Sequence, residues 1–381
     1  MNGTRKPTPR ILHIHSTFDP GGKEVRCVRL INAWGKAADH AIVSGDLERR
    51  GAARLIDSKI KIKWPKFPSL RGRPTLGRLK AIASAMAGYD LICTYNWGAI
   101  DAAMAHTLFA DVYKLPPLVH HEDGFNEDEA QRLKKRRNFY RRIALGRTAA
   151  LVVPSKGLET IALDIWQQPR TRVRRIANGI DTRAYSAPPK RDILPGLLKH
   201  RDEFWIGSLA GLREVKNLGA LVRAMVGLTD EWQLVIAGEG PERERLLALA
   251  EELGVEDRVH LPGFVDKPER LVGLFDIFAL SSHSEQSPIS VMEAMAAGLP
   301  VAAPRVGDIA TMVATDNGPL LCAPDDEKAL MQALQKLAAD PKLRKRVGQA
   351  NRDKARAEYD AQAMTERYRA LYWGLIDGNT A

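Results

Sequence analysis

The sequence is poor in cysteine and has no long apolar run. Its 381 residues include three cysteines, Cys27, Cys93 and Cys322, which are far apart and form no Cys-x-x-Cys pair. This usage argues for a reducing cytosol and against a disulfide framework or a structural zinc site. No apolar stretch reaches the ~18 residues that a membrane helix needs, and the polar, basic residues 1–10 contain no apolar signal region. We therefore expect a cytoplasmic protein.

Two features of cofactor-dependent enzymes are also missing. The turn at Gly21-Gly22 is too short for the Gly-x-Gly-x-x-Gly fingerprint of dinucleotide-binding proteins. No obvious cluster of metal-ligating residues is present either. The sequence thus predicts an activity that needs neither a bound cofactor nor a metal ion.

Acidic residues are outnumbered in the N-terminal half. Residues 1–170 contain 29 Lys and Arg against 16 Asp and Glu, so the net charge of +11 arises in this half. Basic side chains, with aromatic ones among them, are concentrated in residues 59–80 and 131–147. This asymmetry predicts an anionic partner, and we favour peripheral contact with an anionic membrane surface. A solvated helix face is the ordinary alternative, and no recognition motif supports nucleic-acid binding.

Short apolar runs alternate with helical stretches along the chain, which predicts an α/β protein with parallel sheets. Two such series, separated by a proline-containing linker at 178–204, predict two doubly wound domains with a cleft between them. In sheets of this kind, ligands bind at the carboxyl ends of the strands. Strands are predicted at 11–15, 41–43, 91–94, 118–120 and 151–153, then at 205–209, 233–237, 259–261, 277–280 and 301–303. Helices are predicted at 23–35, 217–227, 241–253, 288–297, 326–338, 341–357 and 360–376.

The segment around two glutamates is the most informative one. Ser287 is placed to cap a helix, Pro288 suits its first turn, and Gly298 suits the position just past its end. Glu285 is then predicted on the loop before this helix, and Glu293 inside it. A helix N-terminus suits a phosphate, and two carboxylates beside it suit hydroxyl groups on either side of a diphosphate. By spacing alone, an ordinary amphipathic helix with one exposed and one buried Glu is the commoner interpretation.

The Glu285–Glu293 pair, followed by Ala-Met-Ala-Ala-Gly-Leu-Pro-Val, resembles the Glu-x7-Glu signature of the retaining glycosyltransferases of family 4. Further segments resemble this family in the order in which the family shows them. They are residues 19–22 (Asp-Pro-Gly-Gly), 119–124 (Val-His-His-Glu-Asp-Gly), 178–181 (Asn-Gly-Ile-Asp), 212–217 (Leu-Arg-Glu-Val-Lys-Asn), 236–241 (Ile-Ala-Gly-Glu-Gly-Pro) and 261–265 (Leu-Pro-Gly-Phe-Val). The resemblance covers residues 10–375 and is stronger in the C-terminal half.

This resemblance implies a GT-B fold, in which two doubly wound Rossmann-like domains face a central cleft. Residues 1–180 would form an acceptor-binding domain and residues 181–359 a donor-binding domain, with a C-terminal helix, 360–381, crossing back to the first domain. The implied reaction transfers a sugar from a nucleoside-diphosphate-sugar (UDP or GDP) with retention of configuration. The expected acceptor is a lipid-linked saccharide of cell-surface polysaccharide synthesis, used at the inner face of the cytoplasmic membrane.

A basic pair on one loop of the second domain binds the donor diphosphate in this family. Arg213 and Lys216 resemble that pair, and a guanidinium fork with an ammonium group suits two phosphates. The family's usual Arg stands five residues before the Lys, where this sequence has Gly211. We expect Arg213 to reach the same space.

The resemblance assigns further donor contacts to the glutamate segment. Glu293 would hold ribose hydroxyls and Glu285 the hydroxyls of the donor sugar. The family commonly has glycine three residues after the first glutamate, whereas this chain has Pro288, which offers no N–H group. The remaining phosphate donors would be Ser287, Ile289 and Ser290.

Residues of the first domain complete the implied site. His120, at the end of a strand, matches a family histidine that orients the sugar or the acceptor, although a lone His is more often structural. Glu122 and Asp123 would hold the acceptor. Gly21 and Gly22 would bring backbone amides close to the donor, or else form a simple tight turn.

Two other functions remain compatible with the sequence. A GT-B epimerase or hydrolase of the nucleotide-sugar would turn over the donor without an acceptor. A basic protein that binds membranes or nucleic acid without catalysis would have no need of the glutamate pair and the basic pair.

Overall fold

The computed structural model describes residues 7–378, except 126–128, 130–132, 188, 193 and 195. The chain divides into two compact units. Unit 1 consists of Met1–Ala177 with Met364–Ala381, and unit 2 consists of Asn178–Ala363.

In the described part of unit 1, seven parallel strands form one sheet in the order β3-β2-β1-β4-β5-β6-β7. The chain thus starts in the middle and winds outward in both directions, which is the doubly wound arrangement. The strands are β1 (Arg10–His15), β2 (Asp39–Ser44), β3 (Ile62–Lys63), β4 (Leu91–Tyr95), β5 (Leu118–His121), β6 (Ala150–Val153) and β7 (Val173–Arg175). The helices are α1 (Gly22–Trp34), α2 (Leu76–Met86), α3 (Ile100–Tyr113), α4 (Lys135–Ala144) and α5 (Lys156–Thr160).

Both faces of this sheet are covered, so its strands are almost completely buried apart from exposed residues at the first positions of β1 and β2 and in the edge strands β3 and β7. Successive residues of β1 point to opposite faces: Leu12 belongs to the core cluster that includes α2 and α3, and Ile11 to the cluster that includes α1. The last helix, α12 (Ala361–Ile376), contributes Tyr368 and Tyr372 to the second cluster, and both are completely buried. The C-terminal helix is therefore part of the core of unit 1.

Unit 2 repeats the plan, with six described parallel strands in the order β10-β9-β8-β11-β12-β13. The strands are β8 (Phe204–Leu209), β9 (Trp232–Ala237), β10 (Val259–Gly263), β11 (Ile277–Ala279), β12 (Val301–Pro304) and β13 (Leu321–Cys322). The helices are α6 (Gly219–Ala224), α7 (Arg243–Glu252), α8 (Ile289–Ala297), α9 (Ile309–Met312), α10 (Glu327–Ala339) and α11 (Pro341–Glu358).

The stretch predicted to be a linker begins as a packed part of unit 2. The N–H group of Ile180 donates to Tyr359 O at 2.9 Å, and Tyr185 is buried. These contacts fix the first residues of this stretch against unit 2.

No helix in the described part of the chain combines the length and the apolarity that crossing a membrane requires.

Candidate functional site

An ion pair joins two loops at the carboxyl ends of neighbouring strands in unit 2. Lys216 ends a short 3₁₀ turn (Glu214–Lys216) after β8, and Glu285 lies on the loop after β11. The Lys216 Nζ atom lies 2.6 Å from Glu285 Oε1, and both side chains are largely shielded from solvent. Two predicted site residues that are 69 positions apart in sequence are therefore in direct contact.

Short-range contacts fix the Glu285 carboxylate and its backbone. The Ser282 hydroxyl donates to Glu285 Oε1 at 2.8 Å, and the Ser281 hydroxyl donates to Lys216 O at 3.0 Å. Gly307, with φ +55°, packs so closely that a Cβ there would lie 2.3 Å from Glu285 O. The tight turn after β12 therefore packs directly against the backbone of the loop that carries Glu285.

The Arg213 side chain lies next to Gly211, which occupies the position of the family's usual arginine. This side chain is exposed, and its Nε atom would lie 3.5 Å from a Cβ at Gly211. The loop that carries it is held by the Gly-Glu-Gly turn after β9. A Cβ at Gly238, where φ is +157°, would lie 1.9 Å from Ala210 O, so only glycine permits this approach.

Helix α8 begins one residue later than predicted. Pro288, with ψ 119°, is the N-cap residue, and no side chain caps the helix. The expectation that Ser287 caps it is wrong, since Ser287 precedes the N-cap and its hydroxyl lies 3.7 Å from Met312 Sδ. Ile289 and Ser290 are the first two helical residues, whose N–H groups have no acceptor within an α-helix. The helix ends at Gly298 with φ +80°, as predicted.

Glu293 lies on α8 and accepts a hydrogen bond from Tyr185 OH at 2.9 Å. Burial raises the pKa of this carboxyl group to about 7, although the Tyr185 hydrogen bond opposes the shift. A neutral and an ionised Glu293 are therefore both accessible near neutral pH.

His120 is completely buried in unit 1. Its Nδ1 atom lies 2.8 Å from Thr94 Oγ1, and its Nε2 atom lies 3.8 Å from Glu122 Oε2. Glu122 is also completely buried, and neither of its carboxylate oxygens has a hydrogen-bond partner among the described residues. A carboxylate in such surroundings needs compensation from a nearby charge.

Arg141 of α4 supplies that charge. Its Nε atom lies 3.4 Å from Glu122 Oε2, and its Nη1 and Nη2 atoms donate to Glu129 at 3.2 and 3.1 Å. The guanidinium is fully buried against three aromatic rings, at 4.9 to 5.2 Å from their centroids, those of Trp97, Phe125 and Trp166. This cluster ties Glu122, Phe125 and Glu129, which follow β5, to α4.

The remaining predicted residues of unit 1 lie at the start of α1 and on the loop after β5. Asp123 accepts a hydrogen bond at 2.8 Å from Nη2 of Arg26, a buried residue of α1. Gly21 is the N-cap of α1 and Gly22 its first residue. A Cβ at Gly21 would lie 2.9 Å from Glu24 Oε2. The sequence motif thus forms a close turn at the carboxyl end of β1.

The predicted residues fall into two groups. Unit 2 contains Arg213, Lys216, Glu285, Ser287, Ile289, Ser290 and Glu293, of which Lys216 and Glu285 are in direct contact, and unit 1 contains Gly21, Gly22, His120, Glu122 and Asp123. Sequence reasoning missed Tyr185, Ser282 and Arg141. Tyr185 follows the Asn-Gly-Ile-Asp segment closely enough to have been considered, whereas Arg141 stands in a basic run that reads as a solvated face.

Among the residues that the structure describes, no group of three or more His, Cys, Asp or Glu side chains is arranged to hold a metal ion.

Solved structures share this fold over nearly the whole chain. HepE of Anabaena, solved in complex with UDP, has a TM-score of 0.79 and 18% identity, over 95% of this chain and 99% of that one. WaaG, a glycosyltransferase involved in lipopolysaccharide biosynthesis, has a TM-score of 0.68 and 17% identity, over 96% and 100% of the two chains. At these identities the likeness concerns the fold, and it confirms the predicted pair of Rossmann-like domains of the GT-B class.

The chain belongs to the glycosyltransferases. Residues 20–184 match the family described as Glycosyltransferase Family 4, and residues 190–354 match the family described as Glycosyl transferases group 1. The predicted membership of the glycosyltransferases is confirmed.

Two curated relatives show how far the sequence likeness extends. The N-acetyl-alpha-D-glucosaminyl L-malate synthase of Bacillus anthracis is 26% identical over 55% of this chain and 55% of its own length. The N-acetylgalactosamine-N,N'-diacetylbacillosaminyl-diphospho-undecaprenol 4-alpha-N-acetylgalactosaminyltransferase of Campylobacter jejuni is 31% identical over 55% of this chain and 56% of its own length. The chain thus spans about half the length of these relatives.

Proposed function

We propose that this protein transfers a sugar from a nucleoside-diphosphate-sugar to a saccharide acceptor with retention of anomeric configuration. The observation that carries the proposal is the contact between Lys216 and Glu285 at the strand ends of unit 2. An ammonium group suits the diphosphate and a carboxylate suits sugar hydroxyls, and here the two groups are adjacent and held by neighbouring serines.

The leaving diphosphate would be neutralised by Lys216 and Arg213. Negative charge develops on the phosphate oxygen as the bond to the sugar breaks, so fixed cations there stabilise the transition state. The position of Arg213 Nε near Gly211 supports its use in place of the family's arginine. The first-turn N–H groups of Ile289 and Ser290 would add hydrogen bonds to the phosphates.

The bond between the anomeric carbon and the phosphate oxygen breaks as the acceptor oxygen bonds to the same face of that carbon. The proton of the acceptor hydroxyl passes to the departing phosphate oxygen, so no enzyme nucleophile is required. Glu285 would hold the hydroxyls of the transferred sugar, and Glu293 those of the ribose. This course of reaction follows from the family resemblance and needs no metal ion.

The acceptor we propose is a lipid-linked saccharide used at the inner face of the cytoplasmic membrane. By its name, the relative from Campylobacter jejuni acts on a saccharide linked to diphospho-undecaprenol, and WaaG is described as a lipopolysaccharide enzyme. The excess of basic residues in the N-terminal half supports work at an anionic surface.

Donor turnover followed by proton NMR tests this function. A panel of UDP- and GDP-sugars is incubated with the protein, with and without membrane extract as a source of acceptor. We expect turnover that depends on the acceptor and a product with the donor's anomeric configuration. Full turnover without acceptor would favour an epimerase or hydrolase, and inversion would refute retention.

The variant Glu285→Gln sharpens this experiment. Loss of a charged hydrogen-bond partner should reduce the transfer rate by about tenfold to a hundredfold. Glu214→Gln, an exposed neutralisation on the loop that carries Lys216, is the matched control and should react like the wild type. Equal rates for all three proteins would remove Glu285 from the site.

A further inference from the structure

Unit 1 contains a cavity of about 570 Å³ at the carboxyl ends of its central strands. Ser16 follows β1, Gly45 follows β2, and Trp97 and Gly98 follow β4, and all four line the cavity. The first turn of α4 closes one side with Arg136 and Arg137. The predicted site residues of unit 1 do not line this cavity, so sequence reasoning gave it no function.

Glycines shape the floor of the cavity. A Cβ at Gly98 would lie 2.3 Å from Ser16 Cβ, so the turn after β4 rests directly on the residue that follows β1. A Cβ at Gly45 would lie 3.0 Å from Ser16 O and 3.3 Å from Leu70 Cδ1. A side chain at Gly98 would therefore clash with Ser16, and one at Gly45 would be crowded by Ser16 and Leu70.

One wall of the cavity is aromatic. Trp97 and Tyr140 have their ring centroids 5.8 Å apart at an interplanar angle of 65°. Arg137 and Arg141 each lie 4.9 Å from the Trp97 centroid. The buried Arg141 side chain therefore packs against the Trp97 ring that forms part of this wall.

The charges that line the cavity are positive in excess. Asp101 accepts hydrogen bonds from Tyr140 and from Arg78, so its carboxylate is already compensated. Arg71 lies 3.3 Å from Asp46 and is 73% exposed. Arg136 is exposed and has no counter-ion among the described residues. A ligand with a negatively charged group would find guanidinium partners at the rim.

We propose that this cavity binds an anionic, phosphate-bearing group of the acceptor. Arg71 and Arg136 would form hydrogen bonds to the phosphate oxygens, and Trp97 and Tyr140 would contact the part of the acceptor next to them. Guanidinium forks match phosphate geometry, and aromatic faces suit the apolar surface of a sugar ring or of a prenyl chain. The inference rests on the proposed function, because it assigns the cavity to the acceptor of that reaction.

Phosphate binding to a variant without the proposed donor contacts tests the inference. In the Arg213→Gln/Lys216→Gln protein, calorimetry measures the affinity for glucose 1-phosphate and for geranyl diphosphate. Glucose, inorganic diphosphate and geraniol are the reference compounds. Adding Arg71→Gln and Arg136→Gln should weaken binding about tenfold or more, since two charge-assisted contacts are lost.

Matched substitutions control for charge and for folding. Arg54→Gln/Arg170→Gln removes two exposed arginines of unit 1 that do not line the cavity, and it should leave affinity unchanged. Thermal unfolding of each variant checks that unit 1 is folded. Arg136→Lys should restore part of the affinity, because the charge returns without the guanidinium fork.

The two probes distinguish the sources of the phosphate. Tighter binding of geranyl diphosphate than of inorganic diphosphate supports a lipid-linked acceptor, and tighter binding of glucose 1-phosphate than of glucose supports a soluble phosphosugar. No binding of either probe, binding indifferent to Arg71 and Arg136, or an equal loss in the control would overturn the inference. Nucleoside-diphosphate binding is measured separately on protein with Arg213 and Lys216 intact, so failure of the donor assignment is recognised independently.

Discussion

At the scale of the residue, the fold changes the protonation of Glu293. Burial raises its pKa from the ordinary 4.5 to about 7. Between these values the folded protein holds a proton that the unfolded chain has released. The stabilisation linked to this group is therefore complete below pH 4.5 and is lost as the pH rises through 7.

Glu293→Gln should therefore stabilise the protein at pH 8 and have little effect at pH 5. The gain at pH 8 is about 1–2 kcal/mol, because the partly exposed carboxylate is screened by solvent and realises only part of its shift. Urea unfolding at the two pH values measures it. Glu252→Gln, an exposed substitution on α7, is the control and should show the same dependence of stability on pH as the wild type. If Glu293→Gln also shows the wild-type dependence, the raised pKa of Glu293 is contradicted.

Membership of the site could be predicted only for residues that belong to a recognisable motif. Lys216 and Glu285 were found in this way, and the structure places them in contact. The cap at Ser287 was wrong because Pro288, held extended, takes the N-cap position and leaves Ser287 too early to reach the first-turn N–H groups. His120 lies in a central strand of a sheet covered on both faces, and such a position buries any side chain.

At the scale of elements, a buried hydrogen bond adds to the apolar packing that attaches α12 to the sheet of unit 1. Tyr372 OH lies 2.8 Å from His121 Nε2, and His121 Nδ1 lies 3.1 Å from Thr94 O. The Thr94 carbonyl can only accept, so Nδ1 carries the proton and Nε2 accepts from Tyr372. Burial and the nearby Arg26 lower the pKa of His121 well below 6.5, which keeps Nε2 free to accept.

Tyr372→Phe should destabilise unit 1 by about 1–3 kcal/mol, because the His121 acceptor loses its partner inside the core. Tyr368→Phe is the matched control on the same helix. The Tyr368 hydroxyl is buried without a hydrogen-bond partner among the described residues, so its removal should be neutral or slightly stabilising. Chemical unfolding of both variants measures the difference. Equal stabilities would show that the hydrogen bond does not hold α12.

Periodicity located most of the strands but missed short edge strands and several helices, among them α2 and α3 of unit 1. The strands that begin each series were located to within a residue, because a parallel sheet requires continuous apolar runs. The edge strands Ile62–Lys63, Val173–Arg175 and Leu321–Cys322 were missed, since two or three residues contain no pattern. Helix α11 was found at nearly its full length because Pro341 marks its start.

At the scale of the whole molecule, the excess positive charge predicts binding to anionic membranes. Helix α4 exposes Phe139 and Ile143 one turn apart, 65% and 42% exposed, with Lys135 and Arg142 exposed nearby. Arg132, which belongs to the same basic run, lies outside the described residues. Each cation near an anionic surface contributes about 1 kcal/mol, and this attraction decays within a Debye length of ~8 Å.

We therefore predict peripheral binding to anionic vesicles that high salt reverses. Phe139→Ser/Ile143→Ser should reduce vesicle co-sedimentation severalfold, because the apolar contact is lost while the charge is kept. Phe264→Ser, at a 74% exposed position of unit 2, is the control and should bind like the wild type. Two results would contradict a membrane role for α4. One is equal binding of the wild type to neutral and anionic vesicles, and the other is a loss of binding in Phe264→Ser as large as that in Phe139→Ser/Ile143→Ser.

The fold of the whole chain was predictable from the order of its motifs, whereas the cavity of unit 1 was not. Motifs mark the loops at the strand ends of unit 2, and Lys216 and Glu285, which the fold brings into contact across 69 positions, each belong to one of these motifs. The cavity of unit 1 instead combines Ser16, Leu70, Trp97 and Arg136, which only the folded sheet brings together.

The binding of nucleoside diphosphates tests the account most directly. Calorimetric titration of UDP and GDP into the wild type and into Arg213→Gln/Lys216→Gln measures it, with thermal unfolding as the check on folding. We predict that one of these nucleotides binds the wild type with one site per chain. The double variant should bind it at least about a hundredfold more weakly, because each of the two lost charged contacts contributes about 1.5–3 kcal/mol. Failure of both nucleotides to bind, or equal affinity in the folded double variant, would contradict the account.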